Sequence, residues 1–183
     1  MVDEFSKCLQ FVFAEEGGYS DTPGDSGGPT NYGITLATLS AWRGRQCTAA
    51  DVRALTQAQA SAIYRSDYWG AVEGDYLPPG LDLMTYDFGV TSGPGTSAIL
   101  LQRVLDVEQD GIIGPVTLAA AECAIDVLRS RIEALGAAQA DYYRSLSNFP
   151  EFGKDWLART TRRQAAAMSL TAHAVPPAVT EET

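Results

Sequence analysis

The chain has 183 residues, 45% of them hydrophobic and 20% charged, with a formal net charge of −10. That length suits one domain or two small lobes with a buried core, and the acidic balance argues against nucleic acid, whose binding depends on phosphate neutralisation by Lys and Arg. The single histidine, His173 near the C-terminus, argues against zinc hydrolysis and against Cys-His or Ser-His nucleophilic sites, which leaves carboxylate chemistry.

Apolar spacing predicts a first helix from Asp3 to Glu16, with Phe5, Leu9, Val12 and Phe13 on one face. Gly17 and Gly18 stop it. Residues 17–34 read as a glycine-rich loop with a short hairpin or small sheet. Thr48 with Asp51 and Thr56 with Gln59 are capping-box pairs. The second pair opens a helix running to about Trp69, and "EGDYLPPG" is a loop. "LDLMTYDFGV" reads as a buried helix or helix end, and "TSGPG" at Thr91 to Gly95 as a boundary. Beyond it lie a helix in "TSAILLQRVLDV", a turn in "EQDGIIGP" and a helix with Pro115 at its first position. A long helix from about Ala124 to Leu146 is broken by "NFPEFG" before a last helix, Lys154 to Thr171. The expected organisation is a catalytic lobe over 1–92, a helical lobe over 93–171 and a flexible tail over 172–183. Cys8, Cys47 and Cys123 are expected as buried free thiols, and Trp42 and Trp156 as core.

No run is long and apolar enough for a membrane span, so no membrane insertion is expected. The N-terminus carries acids where a secretory signal would carry bases. The protein is therefore expected to be made in the cytoplasm and to act elsewhere only after release.

The chemistry concentrates in "EEGGYSDTPGDSGGPTNY", Glu15 to Tyr32. On a helical wheel Glu16 lies about 20° from Phe5 and continues the apolar stripe, whereas Glu15 turns toward solvent. A carboxyl on an apolar face, at the negative end of a helix dipole, favours its protonated form. That is what a general acid needs to protonate a leaving oxygen. Asp25, in a polar loop, is expected to stay ionised. Two carboxyl groups in such contrasting surroundings are the pattern of glycoside hydrolysis. Thr30 and Asn31 offer hydrogen bonds to water or sugar, and Tyr19 and Tyr32 offer flat faces for sugar rings. The bland reading is a solvated helix-terminal Glu16 and an Asp25 that stabilises a turn.

"EGGYSDTPGDSGGPTNYGIT" resembles the signature of glycoside hydrolase family 108, N-acetylmuramidases found as phage endolysins and secretion-associated lysozymes. The resemblance continues through "AIYRSDYW", "YDFGVTSGP", "LLQRVLDVEQDGIIGPVTLAA" and "FPEFGKDWLART". It implies a mainly α, lysozyme-like fold with a small β-hairpin or sheet near the active site. It also implies a second half like a peptidoglycan-binding module. The family's catalytic acid precedes Gly-Gly, which here is Glu16. Phage-type lysozymes similarly place an aspartate nine positions after the acid, and then a threonine. Asp25 keeps that spacing and Thr30 comes one residue early. The resemblance thus makes Asp25 a water-activating base or an electrostatic partner of the developing oxocarbenium ion, and Thr30 a residue that orients the water. Thr91 stands where family members tend to carry Asn.

Other residues keep two readings. Asp87, in an otherwise apolar helix, is either a sugar ligand or partner of Glu16, or a buried acid bonded to nearby backbone. Tyr68 and Trp69 read as core before sugar platforms. "DGIIGP" is a structural turn or a wall-binding site, and "RTTRR" at Arg159 to Arg163 a solvated helix face.

The expected function is hydrolysis of the β-1,4 bond between N-acetylmuramic acid and N-acetylglucosamine, with no metal or cofactor. The expected partner is peptidoglycan, attacked in the periplasm by a monomer that a holin would release in a phage setting. The rivals are a lytic transglycosylase, which needs no second carboxylate, and a non-catalytic wall-binding or secretion-helper protein.

Overall fold

The computed structural model describes residues 3–21 and 28–173, which form two compact units meeting in the chain at Gly70 and Ala71. The tail expected from 172 lies outside the described residues from 174 onward.

In the first unit, helix α1 runs Glu4–Glu16. It starts where the Ser6 N–H donates to the Asp3 carboxylate at 2.8 Å. It ends at Gly17, whose φ of 72° is readily available only to glycine. Phe5, Cys8, Leu9 and Val12 are buried, as the apolar spacing predicts, while Phe13 is half-buried.

Strands β1 (Thr30–Asn31) and β2 (Ile34–Thr35) form an antiparallel pair, with Asn31 opposite Ile34. The two loop residues between them, Tyr32 and Gly33, have φ of 52° and 74°. Positive φ at both positions is the primed turn that matches strand twist. Ser20 adds a bridge, exchanging both backbone hydrogen bonds with Thr30 at 2.9 Å.

Helix α2 (Leu36–Arg43), absent from the sequence reading, opens where Thr35 accepts from the Thr38 N–H at 3.1 Å. Helices α3 (Ala49–Arg53) and α4 (Gln57–Tyr64) open with the two expected capping boxes. The helix predicted to reach Trp69 changes hydrogen-bond register after Tyr64, and residues Arg65–Trp69 form a π turn. Trp69 is buried, its ring 5.5 Å from that of Phe5. Trp42 is not core: it is 39% exposed.

In the second unit, helix α5 (Leu81–Ser92) is buried on every side from Leu81 to Gly89. A helix buried all round requires neighbours all round. Helices α6 (Pro94–Val104), α8 (Ile125–Ser145) and α9 (Phe149–His173) supply them. Pro94 and Pro115 open α6 and α7 (Pro115–Ala121). The predicted break at "NFPEFG" is shorter than expected, since α9 begins at Phe149. Pro150 falls in the first turn, where the missing N–H costs nothing. Among the cysteines Cys8 and Cys47 are buried, but Cys123 is only half-buried.

The "DGIIGP" turn is built on a buried side chain. Gln102 Nε2 donates to Asp110 Oδ1 at 2.6 Å and to the Ile112 carbonyl at 3.0 Å, while its Oε1 accepts from the Gly111 N–H at 2.9 Å. Ile112 is left 70% exposed. The hydroxyl of Thr91 lies 2.8 Å from that of Tyr143 and donates to the Phe88 carbonyl at 3.1 Å. Among the described residues no helix is long and apolar enough to cross a membrane.

Candidate active site

Glu16 is the last residue of α1 and is half-buried. Glu15, expected to turn toward solvent, is half-buried as well. The hairpin turn comes up against Glu16: an ideal Cβ placed on Gly33 would lie 2.8 Å from both Cγ and Oε2 of Glu16. The same point is 2.5 Å from the Tyr64 hydroxyl, which donates to the Tyr32 carbonyl at 2.9 Å. The Phe13 ring completes the group, with its centroid 5.5 Å from Tyr32 and 5.8 Å from Tyr64.

Tyr68 extends this aromatic wall, 5.5 Å from Tyr64 between ring centroids. Its phenol is pushed above the ordinary tyrosine value, first by burial and then by the negative charges of Asp67 and Glu16, against a hydrogen bond with Thr38. Tyr68 therefore keeps its proton and lies within electrostatic reach of Glu16. A reading of "DYW" as core misses this. The signal was the i, i+4 spacing of Tyr64 and Tyr68, which puts two phenols on one side of a helix.

The remaining candidates fall into distinct places. Asp25 lies outside the described residues. Thr30 is half-buried, and its backbone N–H and C=O are both used by Ser20. Tyr32 is half-buried at the turn. Tyr19 donates its hydroxyl hydrogen to Asp21 at 3.0 Å and carries the Arg53 guanidinium over one face, 4.7 Å from the ring centroid.

Asn31, put forward as a sugar ligand, is 6% exposed. Its amide donates to the Val52 carbonyl at 3.1 Å and points at those of Arg53 and Leu55 at 3.4 Å. These carbonyls close the end of α3, where a helix leaves acceptors without intrahelical partners. Asn31→Ala is expected to destabilise the protein by about 1–3 kcal/mol, because it removes a buried amide donor aimed at three carbonyls, of which that of Val52 keeps the Leu55 N–H. Urea denaturation with an unchanged slope and a lower midpoint would register it.

Asp87 belongs to the second unit and has no exposed surface. Of its two readings, ligand and buried acid, the structure supplies the contacts of the second, with arginines in place of backbone. Arg159 approaches Oδ1 at 2.6 Å and Oδ2 at 3.1 Å, and Arg163 Nε donates to Oδ2 at 2.6 Å. Arg163 also donates to Gln139 Oε1 at 2.6 Å, and Gln139 donates to the Met84 carbonyl at 2.9 Å. Burial is the largest influence on the Asp87 carboxyl and pushes it up. The charges and hydrogen bonds of Arg163 and Arg159 together outweigh it and hold the group below the usual carboxylate range. This corrects the reading of "RTTRR" as a solvated face: Arg159 and Arg163, one helical turn apart, point inward.

Two family models match the chain in sequence order. Glycosyl hydrolase 108 covers residues 9–93 and Predicted Peptidoglycan domain covers residues 96–163. The solved structure of Brucella abortus SagA is 46% identical, with a TM-score of 0.83 over 91% of this chain and 95% of that one. No curated protein matches significantly. The mainly α architecture with one small antiparallel sheet is thus the lysozyme-like fold the sequence resemblance implies. By motif, fold and the order of its two parts, the chain belongs to the glycosyl hydrolase 108 family and carries a peptidoglycan domain behind the hydrolase region.

Proposed function

We propose that the protein is an N-acetylmuramidase that cleaves the β-1,4 bond between N-acetylmuramic acid and N-acetylglucosamine in peptidoglycan. One observation carries this reading. Glu16, the carboxylate before Gly-Gly inside the region matched to the glycosyl hydrolase model, ends α1 half-buried against the hairpin turn.

In this reading Glu16 gives its proton to the glycosidic oxygen as the bond to the muramic acid carbon breaks. Water attacks that carbon and loses a proton. Asp25 takes the proton or, where it only stabilises the positive charge developing on the sugar, the Glu16 carboxylate takes the proton back, and Thr30 orients the water. Tyr19 and Tyr32 bear on the sugar rings. The second unit keeps the enzyme on its polymer, which raises the local concentration of bonds to cut. We place the action at the wall, after release from the cytoplasm, in the manner of a phage or prophage endolysin.

The products test the chemistry. Mass spectrometry of digested sacculi is expected to find fragments with reducing ends, each one water heavier than the anhydro ends a lytic transglycosylase leaves. Anhydro ends would transfer the protein to the transglycosylase class and remove Asp25 from the mechanism.

A further inference from the structure

We infer that Tyr64 and Gly33 are positioning residues for the Glu16 carboxyl, fixing it against the hairpin turn. The inference rests on the reading of Glu16 as the proton donor. Glu16 is the final residue of its helix, followed by Gly17 and Gly18, so the chain just beyond it offers no side chain to pack against. The turn takes that place. A Cβ on Gly33 would fall 2.8 Å from Glu16 Cγ, 2.8 Å from its Oε2 and 2.5 Å from the Tyr64 hydroxyl. All three separations are well inside the roughly 3.5–4.0 Å at which nonbonded atoms attract. The bare Cα of Gly33 is what lets carboxyl, phenol and turn converge.

The turn is not a relaxed one. A two-residue primed loop favours Asn-Gly, yet Tyr32 occupies the first central position at φ 52°. A bulky residue there is an outlier that persists only where its surroundings enforce it. Two contacts do so. The Tyr64 hydroxyl donates to the Tyr32 carbonyl at 2.9 Å. The Phe13 ring packs against both Tyr32 and Tyr64, at 5.5 and 5.8 Å between centroids. Phe13 stands one helical turn before Glu16 on α1. A single helix therefore carries the carboxyl and part of the clamp on the turn that faces it, and Tyr64 closes the clamp from α4. A catalytic group has to be held this closely to be productive.

The test compares Tyr64→Phe and Gly33→Ala with the wild type on soluble glycan fragments of peptidoglycan. Tyr64→Phe keeps the ring and deletes the hydroxyl, and with it the bond to the turn. It is expected to lower kcat about ten- to a hundredfold, the scale of a small misplacement of a catalytic group, with KM changed less than about twofold. Gly33→Ala is expected to act in the same direction and more strongly. A purely structural role would lower the melting temperature but leave kcat intact wherever the variant is folded. A folded Tyr64→Phe with kcat within about twofold of wild type overturns the inference, and this variant decides alone if Gly33→Ala does not fold. Glu16→Gln run alongside separates the two layers. If it is active, the proton-donor reading falls and the positioning role with it. If it is inactive while Tyr64→Phe is fully active, only the positioning role falls.

Discussion

Replacing Glu16 with glutamine is expected to slow peptidoglycan cleavage by about a hundredfold or more while leaving the fold unchanged. Glutamine has the same shape and can still donate a hydrogen bond, but it cannot deliver a proton to a departing sugar oxygen. The substitution also preserves the packing at Gly33, because the atom that would crowd a Cβ there is retained as an amide atom. Thermal melting and circular dichroism should therefore match the wild type. The neighbouring Glu15→Gln makes the same acid-to-amide change one residue earlier and is expected to keep activity within about threefold, a control for the substitution at the end of the helix dipole. The measurement is loss of turbidity of permeabilised Gram-negative cells, followed by rates on purified sacculi. Equal clearing by Glu16→Gln and wild type would favour the non-catalytic wall-binding reading, because sacculus binding does not depend on a proton donor.

The end of α1 is legible in the sequence because several local signals agree there. Apolar spacing puts Glu16 on the stripe of Phe5, and Gly17 supplies the positive φ that stops the helix behind it. The capping boxes at Thr48 and Thr56 are equally local and equally readable. What surrounds Glu16 is not local. Tyr64 and Gly33 stand 48 and 17 positions away from it in the numbering, and only the fold brings them together. Asn31 illustrates the converse. Beside the candidate Thr30, an amide looks like a sugar ligand, yet strand alternation turns neighbouring side chains to opposite sides, and this one closes the end of α3. The arginines after Trp156 carried a helical period of their own, with Arg159 and Arg163 one turn apart and Arg162 outside it. Reading them as one charged run concealed that period. Helix α2 is hidden in the sequence because its opening signal, Thr35, directly follows the glycine-rich stretch that reads as loop.

The same arginines set the second large effect. Asp87→Ala is expected to destabilise the protein by about 3–5 kcal/mol, because it takes the carboxylate away from a fully buried Arg163 that lies beside a second arginine, Arg159. Arg163→Met should act in the same direction and less strongly, since Asp87 then keeps Arg159 while Gln139 loses a donor. The triple replacement of Asp87 by Leu with Arg159 and Arg163 by Met is expected to recover much of the loss, since apolar groups of similar volume commonly substitute for a buried ionic cluster. The pH dependence has a definite sign. Asp87 is held below the usual carboxylate range in the folded protein, by Arg163 and Arg159 against the opposing pull of burial. Its stabilisation is therefore present above the unfolded carboxylate value of about 4 and is lost as pH falls through the lower folded value. Urea midpoints measured from neutral pH downward should thus fall more steeply for wild type than for Asp87→Asn, with the two curves converging in acid. Parallel curves would mean that α5, α8 and α9 are joined by packing alone and that this carboxylate contributes no net stability to the second unit.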